Sequence, residues 1–152
     1  MIITNQYQDI TCGHRISNGE NFQNSLHRFR INFTFQSNVL TNDANKINFS
    51  IAISRLCDWV EKQWDNKFLC QDNDNLVNTI LGTHMPELNK NEIQDLFEFF
   101  VPLPFDPTAE KLAVYLLDFI GPEQLKGTDI ELTKVSLCSD MGFYGYAKLD
   151  EK

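Results

Sequence analysis

The sequence predicts an α+β domain, with helices packed on one face of an antiparallel four-stranded sheet. Three observations carry this. Alternating segments stand near the N-terminus, two more stand near the C-terminus, and helical periodicities fill the stretch between them. At 152 residues, with 42% hydrophobic residues and twelve Phe, the chain can bury one core, so residues 1–152 read as a single domain.

From Leu26 the run LHRFRINFTF places His27, Phe29, Ile31, Phe33 and Phe35 on one face and Arg28, Arg30, Asn32 and Thr34 on the other, the signature of a half-buried strand. The preceding ITNQYQDITCGHRI alternates more weakly. The polar residues 17–21 between the two read as a turn, which predicts an antiparallel hairpin with a long loop. Phe49, Ile53, Leu56, Val60 and Trp64 then recur at helical spacing and leave Arg55, Asp58 and Lys62 for solvent, with an end near Asp65 and Asn66. After a polar loop rich in Asp and Asn, which includes His84 and looks like a surface insertion, Ile93, Leu96, Phe97 and Phe100 suggest a short second helix.

The third helix has the plainest signals: Asp106 as cap, Pro107 at the first helical position, an apolar face of Leu112, Tyr115, Leu116 and Phe119, and Gly121 as its stop. Just before it, FVPLPF carries two prolines. Their missing N–H groups confine such a strand to a sheet edge. DIELTKVSLC and FYGYAKL read as the last two strands, and the slip of apolar phase between Leu132 and Val135 predicts a bulge.

A net charge of −8 and a pI near 4.7 argue against nucleic-acid binding, which relies on clustered cations. Arg15, His27, Arg28 and Arg30 gather locally, either to attract an anionic small molecule or as a solvated strand face. No run reaches the ~20 apolar residues of a membrane span, and the N-terminus lacks a signal core, so the expected location is the cytoplasm. Cys12, Cys57, Cys70 and Cys138 stand far apart, with no zinc-ribbon or dithiol spacing, and are expected to be reduced.

Four ordered stretches, CGHRIS at 12–17, LHRFRINFTF at 26–35, WDNKFLCQDNDNLV at 64–77 and PFDPTAEKLAVYLLDFI at 104–120, resemble the 6-pyruvoyltetrahydropterin and 6-carboxytetrahydropterin synthase family over nearly the whole chain. The resemblance implies a tunnelling fold, in which subunits join their strands into a barrel. It also implies a homo-oligomer, trimer or hexamer, with sites between subunits, and a lyase acting on 7,8-dihydroneopterin triphosphate. In that family the work is done by a zinc on three histidines, a cysteine base, an Asp-His pair and a glutamate that grips the pterin ring.

Residue by residue, the resemblance places His14 and His27 on zinc but puts Phe29 at the third ligand position. Cys12 shares the strand face of His14, so Cys12, His14 and His27 form a candidate thiolate and imidazole set for zinc. The competing reading makes Cys12 an ordinary small buried residue, with Phe29 filling the vacated pocket. The position of the family's cysteine holds Gln23, which takes no proton near neutrality. The Asp-His pair becomes Asp65 and Asn66, and the pterin glutamate becomes Ser139 with Asp140 beside it. Thr108 and Glu110 match the family's helix start, where the threonine lies near the ligand, although a helix start alone accounts for them.

Two functions follow. One is a zinc-dependent pterin synthase with impaired or altered catalysis, resting on His14, His27 and catalytic Asp65. The other is a non-catalytic tunnelling-fold protein that binds a pterin- or purine-like molecule or serves as an oligomeric structural partner. A different reaction using Glu20 or Asp140 as acid or base stays open.

Overall fold

The computed structural model describes residues 2–18, 21–37, 42–75 and 89–149, with side chains at all of these except 18, 21–23, 42–46 and 93–97. Its elements run β1 (Ile2–Asn18), β2 (Asn21–Ser37), α1 (Asn42–Gln63), β3 (Phe68–Gln71), α2 (Lys90–Phe99), β4 (Phe100–Leu103), α3 (Ala109–Tyr115), a π-helical segment (Leu116–Ile120), α4 (Gly121–Gln124), β5 (Ile130–Ser139) and β6 (Tyr144–Lys148). The fold is α+β, as expected. The sheet is not the expected four antiparallel strands but six mixed ones, in the order β4-β3-β1-β2-β5-β6. β1, β2, β5 and β6 are antiparallel neighbours, whereas β3 runs parallel to β1 and β4 parallel to β3.

β3 escaped the pattern reading because FLCQ is only four residues long and buries its two central side chains together, which leaves no alternation to detect. β4 lies at the edge, where Pro102 can lack its N–H without breaking a central ladder. The hairpin is tighter than expected: β1 pairs with β2 from Ile2 opposite Ser37 to Asn18 opposite Asn21, so most of the polar 17–21 stretch is strand rather than loop. The bulge falls where expected, since Thr34 faces Lys134 while Phe35 faces Leu132, which leaves Thr133 unpaired. The Thr133 hydroxyl donates to the Thr34 carbonyl at 3.2 Å.

One face of the sheet makes the core. Ile10, Phe29, Ile31, Phe33, Phe35, Val135 and Leu137 pack there with Phe49, Ala52, Leu56 and Val60 of α1 and Leu112 and Ala113 of α3, all of them buried. Each large side chain so buried stabilises the fold by about 1.5–3 kcal/mol. The alternate residues Arg28 and Arg30 are exposed on the other face, as the strand pattern requires.

The third helix departs from expectation at both ends. Thr108, not Asp106, is the cap, and its hydroxyl accepts from the Lys111 N–H at 3.3 Å. Asp106 instead accepts from the Ser17 N–H at 2.9 Å and so ties the helix start to β1. Gly121 does not stop the helix but continues it with right-handed φ −54 and ψ −57. The π-helical turn changes the phase, so Leu116, Leu117 and Ile120 are buried and Phe119, expected on the apolar face, is 63% exposed. Gly145 of β6 lies flat against the start of α3, where an added Cβ would run into the backbone of Ala109 and Glu110.

Candidate functional site

The site grows from the register of the hairpin. Cys12 and His14 on β1 point to the same face as His27 and Phe29 on β2, with Cys12 opposite His27, Ile10 opposite Phe29 and His14 opposite Ser25. The two histidines are therefore diagonal neighbours. Their ring centroids lie 4.8 Å apart at an interplanar angle of 78°. Phe29 stands edge-on to both, 5.5 Å from each. Phe143, from the turn between β5 and β6, adds a second ring 5.6 Å from His14 and 4.9 Å from His27. His14 is 0% exposed and His27 2%.

The His14 Nδ1–H donates to the Pro107 carbonyl at 2.9 Å, because that oxygen can only accept. His14 Nε2 and both nitrogens of His27 have no hydrogen-bond partner. A buried unpaired polar atom costs about 1–3 kcal/mol, so sites that keep several are unusual. Burial holds both histidines below the usual range, against the pull of the Pro107 hydrogen bond on His14 and of Asp140 on His27. Asp140 stands at the rim, largely exposed, with a carboxylate oxygen 3.9 Å from His27 Nδ1.

The other candidate residues are held elsewhere. Asp65 accepts from the Thr11 N–H at 2.9 Å, while Asn66, in the left-handed region at φ 60, donates its own N–H to the Thr11 carbonyl at 2.7 Å. Together they pin the end of α1 to β1 beside Cys12. The Ser139 hydroxyl accepts from the N–H groups of Met141 and Phe143, at 3.2 and 2.9 Å, so both of its lone pairs are taken by its own turn. Thr108 caps α3, and Glu110 lines a groove between α3 and β6 with Tyr144, Tyr146 and Lys148. Gln23 is placed in β2 by its backbone alone, and Glu20 and His84 lie outside the described residues.

Four features had no clear signal in the sequence. Phe143, expected to open the last strand, and the Pro107 carbonyl, expected at a helix start, both come from turns far along the chain. Arg15, read above as part of a cationic group, is instead buried in an ion pair with Asp74 at 2.5 Å and also donates to Asn24 Oδ1 at 3.1 Å. Likewise Arg30 is paired with Asp9 at 2.9 Å.

Comparison with known proteins assigns the chain to a family. The model of the family described as 6-pyruvoyl tetrahydropterin synthase matches residues 3–144. The chain belongs to this family. No curated protein matches it. Among solved structures it is similar to an uncharacterized protein from Wolinella succinogenes, with TM-score 0.72, 16% identity and coverage of 98% of this chain and 99% of that one. It is also similar to the 6-pyruvoyl tetrahydropterin synthase of Plasmodium vivax, with TM-score 0.64, 15% identity and coverage of 97% and 98%. Another such structure from Plasmodium vivax carries a cysteine in place of a catalytic glutamate, with TM-score 0.62, 14% identity and coverage of 98% and 100%. At these identities the likeness speaks for the fold alone.

The zinc of the pterin synthases asks for three protein ligands and an open position. The residues present do not fit that set. His14 and His27 supply two imidazoles with free nitrogens, but Phe29 occupies the strand position from which a third would come. Cys12 shares their face, yet among the described residues no three His, Cys, Asp or Glu side chains come together as a group able to hold a metal ion. Burial, reinforced by Asp65, pushes the Cys12 thiol up to about 12, so without a metal beside it the group stays protonated at neutral pH and does not act as a base. Cys57 and Cys70 are likewise pushed up to about 11, chiefly by burial.

Proposed function

We propose that this member of the family binds a pterin- or purine-like ring in a homo-oligomer without performing the zinc-assisted proton transfers of a pterin synthase. The observation that carries this reading is Phe29, fully buried and edge-on to both imidazoles at the position of the third ligand. Around it, each proton-moving group of the family pattern is replaced or committed. Asn66 holds a backbone turn, the Ser139 oxygen accepts twice from its own loop, and burial holds the thiols of Cys12, Cys57 and Cys70 well above neutrality. General acid–base groups and Lewis acids supply factors of ~100 or more each, so losing several together removes the reaction.

Binding is a smaller demand than turnover. The exposed carboxylate of Asp140 beside His27 suits the paired N–H donors on the edge of a guanidine-like ring. Oligomerisation is supported by open sheet edges: β6 ends the sheet, and β1 meets β3 only at Gly13 and His14, which leaves its first half without a described neighbour on that side. Among the described residues no helix is long and apolar enough to cross a membrane.

The test is to incubate the protein with 7,8-dihydroneopterin triphosphate, with and without zinc, while following triphosphate release and ligand binding in parallel. Saturable binding without release above the protein-free rate is expected. Release at a rate comparable to an intact pterin synthase would overturn the reading. A second reading has a specific motive, since the residue substituted in the Plasmodium vivax protein is a catalytic glutamate. A carboxylate can therefore serve in this family, and Glu20 is the one residue of that type in the connection between β1 and β2. Release abolished by Glu20→Gln would favour it.

A further inference from the structure

The histidine pair is neither dismantled nor complete. Had the site simply decayed into core, the imidazoles would be expected to give way to apolar side chains, since two buried rings with three unpartnered nitrogens weaken a fold. They remain instead as diagonal neighbours 4.8 Å apart, a spacing at which both rings can reach one ion. His14 is also held in the tautomer that leaves Nε2 as a lone pair, by an Nδ1–H bond to Pro107, an outer-shell arrangement typical of metal-bound histidine. The missing element is one donor atom. The side chain at that place is Phe29, an aromatic ring of imidazole-like shape, 5.5 Å from each histidine.

We infer that Phe29 alone withholds zinc from this chain, and that the His14–His27 pair is a latent metal centre which the single substitution Phe29→His completes. Residue 29 lies two positions beyond His27 on β2, so a histidine there projects to the same face. The change replaces one planar ring by a smaller one, and no neighbour has to move to admit it. Phe143 stays beside both imidazoles as an apolar neighbour. The inference deepens the proposed function and rests on its premise that zinc chemistry has been given up. Its test does not depend on any ligand, so a failed ligand assay and a failed metal assay are distinguishable.

The native chain and F29H are each purified without added metal, loaded with zinc, dialysed and assayed for zinc per chain, with thermal unfolding recorded alongside. F29H is expected to hold close to one zinc per chain and to unfold at a higher temperature with zinc than without. The native chain is expected to bind at least ~100-fold more weakly, since even outer-shell partners of a metal are worth 10–100-fold in affinity. His27→Ala in the F29H background should abolish the uptake. Because F29H can fail to fold without metal, F29H and F29C, the second offering a compact thiolate donor, are also refolded in zinc. Zinc held by the native chain within tenfold of F29H overturns the inference. So does a folded F29H that takes up none, or the failure of both variants to be rescued by zinc, because a completed centre contributes its binding energy to folding.

Discussion

The two ends of the hairpin β1–β2 share one face and one ladder, yet they are built on different terms. Towards the outer end, Ile31, Phe33 and Phe35 are fully buried against α1 and α3, and among the described residues one polar atom on that face, Gln8 Oε1 opposite Ile31, lacks a partner. Towards the turn, the same face carries Cys12, His14 and His27, and three imidazole nitrogens lack partners. Phe29 sits at the junction and belongs to both, being core by burial and site by position. The difference teaches that the scaffold and the chemistry are separable here. The outer end holds the fold, and the inner end is kept although it weakens the fold.

The largest expected effect strikes the outer end. Phe33→Ala empties a fully buried position and should lower unfolding stability by about 3–5 kcal/mol in urea titration. A loss under 1 kcal/mol would mean that this end is not the anchor. Next comes Arg15→Ala, which takes the guanidinium away from the buried Asp74 carboxylate beside the inner end and should cost about 1.5–3 kcal/mol by the same measurement. A smaller effect is expected for Thr108→Ala, about 1 kcal/mol, because it removes the cap that begins α3 next to the site.

The smallest change separates the two ends most sharply. Replacing both His14 and His27 by Phe removes the stranded nitrogens at similar shape and should leave stability at pH 7.5 within about 1 kcal/mol of the native chain, or raise it. The pH dependence supplies the sign. Burial lowers both histidines from the ordinary 6.5, so the unfolded chain takes up protons first as the pH falls. The stability is present above pH 6.5 and is lost below it, as the pH descends towards the depressed folded values. The native urea midpoint should therefore drop more between pH 7.5 and 5.5 than that of the double variant. Parallel slopes would show that the pair is not the acid-sensitive element.

The outer end was legible in the sequence because its strands alternate cleanly, and Phe29, His27 and His14 were legible because positions two apart on a strand share a face. The slip before Val135 announced the bulge, and the prolines of FVPLPF announced an edge. What stayed hidden depended on long-range packing or on a change of period. β3 is too short to alternate, and the π-helical turn at Leu116–Ile120 turned Phe119 outward against a regular helical reading. Phe143 and Asp140 reach the pair only because β5 folds back beside β2, and Asp74 reaches Arg15 across 59 residues of chain. The sequence placed the cationic residues together but could not show that carboxylates claim two of them.

The separation of scaffold from chemistry is tested most directly by titrating the native chain with Co(II), a coloured substitute for zinc, and following visible absorption. The expected result is a spectrum unchanged beyond free Co(II). An intense tetrahedral band that saturates at one ion per chain would contradict it, because the inner end would then be a working metal centre despite Phe29.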